Sequence, residues 1–384
     1  MTDNLLPLDK YTVSPNQEAT SLGQKILKEG RVGAILLAGG QGTRLKFRGP
    51  KGAYPISPVK KKSLFQLAIE KAESARKHFG THLHLALQTA SENNLETLSF
   101  FEKNGFFGSK NHIDFFCQGD LPLLDENETL FLHNGSPCMA SEGNGSFFWS
   151  FVQSPLFEKW KKRGIEYVTV MGIDNGLSNP FDEEMIGLHV MEKNDVTIKA
   201  ILRTRADEKV GLIVQREGQV RIAEYNEVDR DSAEQKTADG SLLFRLANAN
   251  YFCFTMDFIE SIARLAKSDF PLHQAKKVIA PYNKLLIKQE YFIFDMFEKA
   301  KKIGILLSDR ATSFAPLKNA EGVDCPETVK QALLAYYRKL YEAVSGVKLN
   351  ENLSFELSAD FLYPSAELMQ KYKGKIPDPG SYLE

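Results

Sequence analysis

A glycine-rich turn followed by two cations is the feature of the sequence with the clearest chemical meaning. Residues 35–56 read ILLAGGQGTRLKFRGPKGAYPI, so an aliphatic run enters Gly39 and Gly40 and then presents Arg44 and Lys51. Glycines let backbone N–H groups approach a ligand closely, and amides flanked by fixed cations suit a polyanion such as a nucleotide phosphate. The pattern predicts a phosphate-binding loop.

This loop fits neither of two common phosphate-binding signatures. A dinucleotide fingerprint counted from Gly40 requires glycine at position 45, where Leu45 stands, and the sequence has no P-loop run of Gly-Lys-Ser/Thr at the required spacing. An ordinary turn between a strand and a helix is the alternative for the glycines alone. The Arg and the Pro-Lys-Gly triplet that follow favour the phosphate-binding interpretation.

Further polar residues follow runs that read as buried strands. Gln118 closes IDFFCQG, and Asp174 follows YVTVMGI. Ligands of open α/β sheets bind at the carboxyl ends of the strands, so we expect these residues and the glycine loop on one rim.

Strand and helix patterns alternate along the part of the chain that must position this rim. The strand patterns are VGAILLAGG, HLHLALQTA, IDFFCQG and YVTVMGIDN. Helical patterns run from Ser14 to about Gly30, from Ser63 as SLFQLAIEKAESARKHF, and over NLETLSFFEKNGF. This alternation predicts an α/β fold with a mostly parallel sheet covered on both faces.

The pattern of apolar and polar residues changes in the second half of the chain. Shorter alternating segments between 186 and 227 predict antiparallel strands added to the far side of the sheet. Helical patterns return at 255–267, 291–302 and 326–345. We therefore expect a short N-terminal helical segment at 1–30, a catalytic domain at 31–325 and a small C-terminal domain at 326–384.

Composition limits the partners. The 384 residues carry 48 basic and 49 acidic side chains, so the chain has no strong field to attract nucleic acid or anionic membrane. No apolar run approaches the ~20 residues of a membrane span. The opening run MTDNLLPLDKYTVSP is too polar for a signal peptide, and the four cysteines show no metal spacing, so a reduced cytoplasmic protein is expected.

The chain resembles the eukaryotic-type UDP-N-acetylhexosamine pyrophosphorylases within the wider UDP-sugar pyrophosphorylase family. The resemblance begins at LAGGQGTRL and PKG. It continues in order through SLFQ, FFCQG, EGNGS, RGIEYVTVMGIDN, VGLIV, AEYNEV, IKQEYFIFD and FAPLKNAEG, and covers roughly residues 20–365. It implies a Rossmann-like nucleotidyltransferase fold, GT-A-like, with a mixed central sheet flanked by helices and a small C-terminal domain.

The resemblance implies an enzyme that converts UTP and a sugar-1-phosphate to UDP-sugar and pyrophosphate with Mg²⁺. An anionic nucleophile must then attack a highly charged phosphate chain, which requires cations and precise alignment. Carried over by position, the residues have four roles: Leu37, Ala38, Gly39, Gly40, Gln118 and Gly143 bind the nucleotide, Arg44, Lys51 and Lys288 are catalytic, Asn144, Glu224 and Asn250 bind the sugar, and Asp174 binds the metal.

Each assignment has a physical reason. Arg44 and Lys51 would neutralise the departing phosphates, and Lys288 would hold the sugar phosphate. The Gln118 carboxamide offers both a donor and an acceptor to a uracil edge. A carboxylate beside phosphates, such as Asp174, is a usual way to hold Mg²⁺.

The sequence also departs from the family's pattern. Lys46 replaces the glycine that usually follows GTRL, and EYNE stands where the family has Glu-Tyr-Ser-Glu. The block RLANANYF keeps Asn250 but has no clean match to the family's first Gly-Asn pair. That block faces the sugar, so glucose-1-phosphate or a broad range of sugars stays open beside N-acetylglucosamine-1-phosphate.

Two alternatives come from other functional classes. A non-catalytic nucleotide-sugar sensor would not need to keep the leaving-group cations. A dehydrogenase would need the third glycine of its fingerprint. His82 and His84 share a strand face, but a histidine pair without a third ligand favours a structural role over a metal site.

Overall fold

The computed structural model describes residues 5–225, 227–279 and 282–384. Numbered in chain order, its α-helices are α1 (Gln17–Lys28), α2 (Leu64–Phe79), α3 (Asn94–Lys103), α4 (Phe147–Gln153), α5 (Pro155–Lys162), α6 (Glu183–Glu192), α7 (Arg230–Glu234), α8 (Met256–Ala263), α9 (Arg310–Ser313), α10 (Pro326–Ser345) and α11 (Ala366–Tyr372). Short 3₁₀ helices lie at Thr43–Leu45, Lys51–Ala53, Gly105–Gly108, Lys110–His112, Asn144–Ser146, Lys267–Asp269, Ile293–Lys299 and Ala359–Leu362.

The strands are numbered in the same way. They are β1 (Leu6–Pro7), β2 (Thr12–Val13), β3 (Val32–Leu37), β4 (His84–Thr89), β5 (Ile113–Cys117), β6 (Asp120–Pro122), β7 (Leu132–His133), β8 (Ser136–Pro137), β9 (Met139–Ser141), β10 (Tyr167–Gly172), β11 (Val196–Leu202), β12 (Leu212–Arg216), β13 (Gln219–Ala223), β14 (Leu246–Thr255), β15 (His273–Ile279), β16 (Lys284–Glu290), β17 (Ile303–Leu307), β18 (Glu356–Leu357) and β19 (Tyr382–Leu383).

A mixed sheet in the order β2-β17-β11-β14-β10-β3-β4-β5 forms the centre of the molecule. Its neighbouring strands pair in parallel except at β14, which runs antiparallel to both β10 and β11. The β12–β13 hairpin joins the sheet through β14. The mixed α/β fold is therefore confirmed, and the carboxyl ends of β3, β4, β5 and β10 meet on one rim.

Helices cover both faces of the sheet because the central strands are apolar on both faces. In β3, Ala34 and Leu36 belong to the core that includes α1, α2 and α10, whereas Ile35 belongs to the core with α4, α5 and α8. This burial on two sides explains why the strand reads as a continuous aliphatic run rather than as an alternating one.

Local signals fix the helix that follows the phosphate-binding loop. α2 begins after Ser63, whose hydroxyl accepts a hydrogen bond from the Gln66 N–H, and it ends at Gly80 with φ of 65°. A side-chain acceptor at the first position and a left-handed glycine at the end are the usual helix caps. The predicted helix start at Ser63 is confirmed.

Two element predictions were wrong. Residues 186–192 belong to α6, a helix that Asp182 caps by accepting from the Met185 N–H, not to a strand. The helical pattern at 291–302 forms only the 3₁₀ segment Ile293–Lys299, after which the chain enters β17. The β15–β16 hairpin was missed, because β15 is largely exposed and neither strand has a clean alternation of apolar and polar residues.

The hydrophobic core and the main sheet continue across the predicted domain boundaries at 30/31 and 325/326. β2 pairs with β17 of the main sheet, and one continuous core contains both Leu64 of α2 and Tyr341 of α10. The division at 325/326 coincides with the start of α10 and stays a prediction. In the described ranges, no helix is both long and apolar enough to span a bilayer.

Candidate active site

A pocket of about 240 Å³ opens at the rim where the strands end. Ten of the residues that the sequence predicts for the site line it: Leu37, Gly39, Gly40, Lys51, Gln118, Gly143, Asn144, Asp174, Asn250 and Lys288. Ala38, Arg44 and Glu224 do not. The rim rule for parallel strands therefore brought most of the predicted residues together.

The glycine loop follows β3, and a buried asparagine side chain binds its backbone carbonyls. The Asn93 amide donates to the carbonyl of Ala38 at 2.8 Å and to that of Gly40 at 3.3 Å. A Cβ at Gly39 would lie 2.3 Å from the amide nitrogen of Gln118 and 3.2 Å from the Cβ of Ala90, so a side chain there would displace the Gln118 carboxamide. Ala38 is itself buried and lies behind the pocket wall.

Lys51 and Asp174 face each other across the loop. The ammonium group of Lys51 lies 3.8 Å from a carboxylate oxygen of Asp174, and each side chain is about one-fifth exposed. Arg44 is exposed and lies outside the pocket lining, and its backbone carbonyl accepts from the Ala320 N–H. The two cations that look equivalent in sequence are thus placed differently.

Gln118 and Gly143 also line the pocket, and the Gln118 carboxamide lies against Gly39 of the glycine loop. The Ser146 hydroxyl lies 2.7 Å from the carbonyl of Gly143, to which it donates, and 3.3 Å from the side-chain oxygen of Gln118. Gly143 has φ of 91°, and a side chain there would meet the carbonyl of Tyr291. This is a position where only glycine fits, because the backbone has a positive φ and packs directly against the backbone of Tyr291.

Lys288 enters the pocket from β16. Its ammonium group donates to the Ser141 hydroxyl at 2.9 Å and lies 3.1 Å from a carboxylate oxygen of Glu290. Burial opposes ionisation of Glu290, but Lys288 and Lys277 together hold its pKa below the usual value. Lys288 is therefore a fixed charge rather than a free surface lysine.

The predicted sugar-binding residues are only partly brought together. Asn250 lines the pocket with φ of 53°, and its backbone N–H donates to the Asn248 side chain. Asn144 lines the pocket while its side-chain oxygen accepts from the Ile293 N–H at 3.1 Å. Glu224 lies outside the lining, where burial and Glu227 raise its pKa.

Three polar lining residues were not predicted: Gln88, Ser141 and Glu290. Gln88 lies next to the end of β4, so the strand-end rule could have found it. Glu290 is two residues beyond Lys288 on the same strand and therefore on the same face. Nothing in the sequence marks Ser141, because it depends on a contact between distant segments.

A metal would have to rely on Asp174. In the parts of the chain that the structure describes, no group of three His, Cys, Asp or Glu residues could hold an ion. Mg²⁺ keeps several waters and is often bound by one or two carboxylates together with substrate phosphates, so a single carboxylate beside a phosphate cradle fits it.

The histidine pair lies at the other end of β4. The imidazoles of His82 and His84 are 4.3 Å apart between ring centroids, and Arg163 approaches a His84 ring nitrogen at 2.6 Å. Burial, followed by the charges of His82 and Arg163, lowers the pKa of His84 to about 3. A neutral histidine packed against an arginine agrees with the structural role.

Comparisons with known proteins point in one direction. The model of the family described as UTP–glucose-1-phosphate uridylyltransferase matches residues 4–374. A UDP-N-acetylglucosamine pyrophosphorylase of Saccharomyces cerevisiae is 32% identical over 378 residues, which cover 93% of this chain and 79% of the relative. The UDP-N-acetylglucosamine diphosphorylase 2 of Arabidopsis thaliana is 30% identical over 359 residues, covering 88% and 72%.

Solved structures agree with these relatives. The UDP-N-acetylglucosamine pyrophosphorylase of Trypanosoma brucei, solved with an inhibitor, superimposes with a TM-score of 0.82 at 26% identity, over 99% of this chain and 86% of that one. A UDP-glucose pyrophosphorylase mutant from Leishmania major shares the fold, with a TM-score of 0.66 at 17% identity over 82% and 68% of the chains.

Proposed function

Because the chain belongs to the UTP–glucose-1-phosphate uridylyltransferase family, we propose that it makes a UDP-sugar and pyrophosphate from UTP and a sugar-1-phosphate. The observation that carries the proposal is a single pocket in which a glycine cradle, Lys51, Asp174 and Lys288 converge. The names of the relatives favour N-acetylglucosamine-1-phosphate as the sugar substrate.

The proposed reaction is a displacement at phosphorus. A phosphate oxygen of the sugar-1-phosphate forms a bond to the α-phosphorus of UTP, the bond from that phosphorus to the bridging α–β oxygen breaks, and pyrophosphate leaves with the electron pair. Both partners are anions, so charge neutralisation and alignment are the main requirements.

The residues of the pocket can be assigned to these requirements. Gly39 and Gly40 present backbone to the nucleotide phosphates, and Lys51 stabilises the charge that develops on the leaving pyrophosphate. Lys288 holds the attacking phosphate as a point charge. Gln118 and Gly143 would read the uracil, and Asn144 and Asn250 would contact the sugar. Arg44 and Glu224, outside the lining, stay predicted contributors.

We further propose Mg²⁺ as the cofactor, held by Asp174 and substrate phosphates. Bound there, the ion would neutralise part of the phosphate charge. Lys51 and Asp174 are 3.8 Å apart. When substrate enters, Lys51 would therefore contact the phosphates close to the Mg²⁺ that Asp174 would hold.

One assay tests the function. Pyrophosphate release is measured with UTP and Mg²⁺ against a panel that includes the 1-phosphates of N-acetylglucosamine, N-acetylgalactosamine, glucose and galactose, with UTP alone as the control. We expect release that depends on the sugar phosphate and the highest kcat/KM for N-acetylglucosamine-1-phosphate. A higher kcat/KM for glucose-1-phosphate would overturn the choice of sugar.

The same assay separates the competing classes. A nucleotide-sugar sensor would bind UDP-sugar without releasing pyrophosphate. A dehydrogenase would neither release pyrophosphate nor bind UTP. If the protein binds UTP but releases no pyrophosphate with any of the sugar phosphates, the transferase function is rejected.

A further inference from the structure

A second cavity lies on the same edge of the sheet as the active site and shares no lining residue with it. It has a volume of about 560 Å³ and lies between the end of β11 and the segment that leads into β14. β14 is antiparallel to β11, and Leu202 pairs with Leu246, so this corner is the amino end of β14. Asn250 of the active site is four residues further along the same strand.

Four cations and one carboxylate line this second cavity: Arg203, Arg205, Lys236, Arg245 and Glu234. Glu234 also pairs with Arg230 at 2.7 Å outside the lining, and both side chains of that pair are half exposed or more. The lining therefore holds more cations than carboxylates, in a chain whose overall charge is close to balanced.

Two of these cations, Lys236 and Arg245, form no ion pair within the described ranges. Among the described residues Lys236 has no ion-pair or hydrogen-bond partner for its ammonium group and is exposed. Arg245 donates to the Tyr11 hydroxyl at 2.7 Å and lies over the Tyr11 ring, and it forms no ion pair with any described residue. Hydrogen bonds from Thr237 and Ser241 lower the pKa of the Asp239 carboxyl, and the guanidinium charge adds to this effect at longer range. Arg205 differs, since it pairs with Asp207 at 2.9 Å.

Arg203 supplies an independent observation, because its guanidinium is buried. The residue is 6% exposed, and its terminal nitrogens donate to the carbonyls of Ala206 at 3.3 Å and Ala233 at 2.7 Å. In the described part of the chain its Nε has no hydrogen-bond partner. The nearby carboxylate of Glu208 pairs with Arg310 at 2.8 Å instead.

Burying a cation without a paired carboxylate lowers the stability of the folded state unless another anion compensates the charge. Burial lowers the pKa of Arg203, and the charge of Glu208 offsets this only in part. The volume falls in the range of small-ligand sites and suits one phosphorylated small molecule.

We propose that this second cavity binds a small phosphate-bearing anion at a site separate from the active site. Lys236 and Arg245 contact the phosphate, and Arg203 contributes the buried positive charge beneath it. The proposal does not depend on the proposed function, since it concerns binding alone.

Calorimetric titration with glycerol 3-phosphate tests the proposal at fixed ionic strength. Four forms of the full chain are compared: wild type, the double variant Lys236→Ala/Arg245→Ala, the active-site double variant Lys51→Ala/Lys288→Ala, and Lys103→Ala as a control for removing an exposed lysine elsewhere. Circular dichroism melting of each form establishes that it is folded.

We expect saturable binding that persists in the active-site variant and in Lys103→Ala, and that weakens at least tenfold in Lys236→Ala/Arg245→Ala. Binding that disappears only in the active-site variant would overturn the proposal, as would wild-type affinity in the cavity variant. Absence of saturable binding in every form would also overturn it. The single variant Lys236→Ala, which removes an exposed side chain, repeats the test should the double variant fail to fold.

Discussion

At the scale of single residues, each of the two pocket lysines lies close to a carboxylate before substrate binds. Lys51 lies 3.8 Å from Asp174, and Lys288 lies 3.1 Å from Glu290. Charges that are oriented before substrate arrives need no reorganisation during the reaction, which is the main source of electrostatic catalysis. The contributions of Lys51, Lys288 and Asp174 can therefore be tested separately.

Lys51→Ala is expected to lower kcat by about 10²–10³, or roughly 3–4 kcal/mol, as for the loss of one preorganised transition-state charge. Arg44→Ala is expected to lower kcat by less, because its side chain is exposed and outside the pocket lining. Steady-state pyrophosphate release measures both. An Arg44→Ala enzyme impaired as strongly as Lys51→Ala would show that Arg44 reaches the phosphates in the substrate complex.

Lys288→Ala is expected to raise the KM for the sugar-1-phosphate and to reduce kcat while leaving UTP affinity nearly intact. The reason is that Lys288 comes from β16, an element separate from the glycine loop, and its ammonium group is held by Ser141. Initial-rate kinetics and UTP titration give the two quantities. Lys276→Ala, an exposed lysine on β15, is the matched control. A parallel loss of UTP affinity would assign Lys288 to the nucleotide.

Asp174→Asn is expected to raise the magnesium concentration needed for half-maximal activity, and EDTA is expected to abolish wild-type activity reversibly. An amide is a weaker Mg²⁺ ligand than a carboxylate because it carries no net charge. Magnesium titrations of the two enzymes provide the comparison. Superimposable titration curves would move the metal away from Asp174.

The site could be predicted from sequence wherever a residue stands at a strand end or inside a glycine turn. Gly39, Gly40, Gln118 and Asp174 all satisfy one of these local rules, and all of them line the pocket. The misplaced residues required information about rotation and distance. Arg44 is the second residue of the short 3₁₀ helix Thr43–Leu45, and no local pattern specifies the direction of its side chain. Ser141, which was not predicted, depends on a contact with Lys288 of β16.

At the scale of elements, α2 holds the loop that carries Asp174. Lys71 of α2 is 7% exposed, and its ammonium group donates to the carbonyls of Gly176 at 2.7 Å and Ser178 at 2.9 Å. No carboxylate among the described residues pairs with it. Burial lowers the pKa of Lys71 to about 7, so the folded chain holds this proton less tightly than the unfolded chain does.

The free energy of unfolding should consequently rise between pH 7 and pH 10. In this window the unfolded state binds more protons at Lys71 than the folded state, and stability rises with pH wherever that is so. At about 1.36 kcal/mol per pKa unit the Lys71 contribution is up to roughly 4 kcal/mol. Denaturant unfolding at several pH values measures it.

Lys71→Met should flatten this pH dependence, because it removes the titrating group and keeps the length of the side chain. Lys77→Met, on an exposed turn of the same helix, is the control and should leave the slope unchanged. Equal slopes in wild type and Lys71→Met would show that Lys71 stays protonated across the window.

The elements themselves were predictable where one local signal dominated. Ser63 and Gly80 delimit α2, and the aliphatic run of β3 can only be a strand buried on both faces. α6 was missed as a helix because the segment that follows it, β11, has a strong strand pattern that was extended backwards across Lys193. The antiparallel course of β14 is decided by packing between distant strands.

At the scale of the whole molecule, the C-terminal segment closes over the connection between the phosphate-binding loop and α2. Glu356 is fully buried, and one of its oxygens accepts from the N–H groups of Val59 and Lys60, both at 2.8 Å. Its other oxygen lies 3.7 Å from the ammonium group of Lys62, which also contacts the Tyr382 hydroxyl at 2.8 Å. The C-terminal segment thus supports a loop only a few residues beyond Lys51.

Glu356→Ala should therefore lower the free energy of unfolding by roughly 2–6 kcal/mol, at about 1–3 kcal/mol for each of the two N–H groups that lose their acceptor. Lys62 keeps its closer partner Glu70 at 2.7 Å, so the loss comes mainly from the N–H groups of Val59 and Lys60. Asp360→Ala is the control from the same segment. Asp360 pairs with Lys77 at 3.8 Å, and both side chains are about half exposed or more, so its loss should cost no more than about 1 kcal/mol.

Denaturant unfolding followed by both tryptophan fluorescence and circular dichroism measures the two variants and also tests the predicted C-terminal domain. Trp149 and Trp160 belong to the core with α4 and α5, remote in sequence from Glu356. If residues 326–384 are bound as tightly as the shared core indicates, Glu356→Ala lowers both transitions together. A fluorescence transition that stays at its wild-type midpoint while the circular dichroism signal falls early would identify the C-terminal segment as a separately unfolding unit.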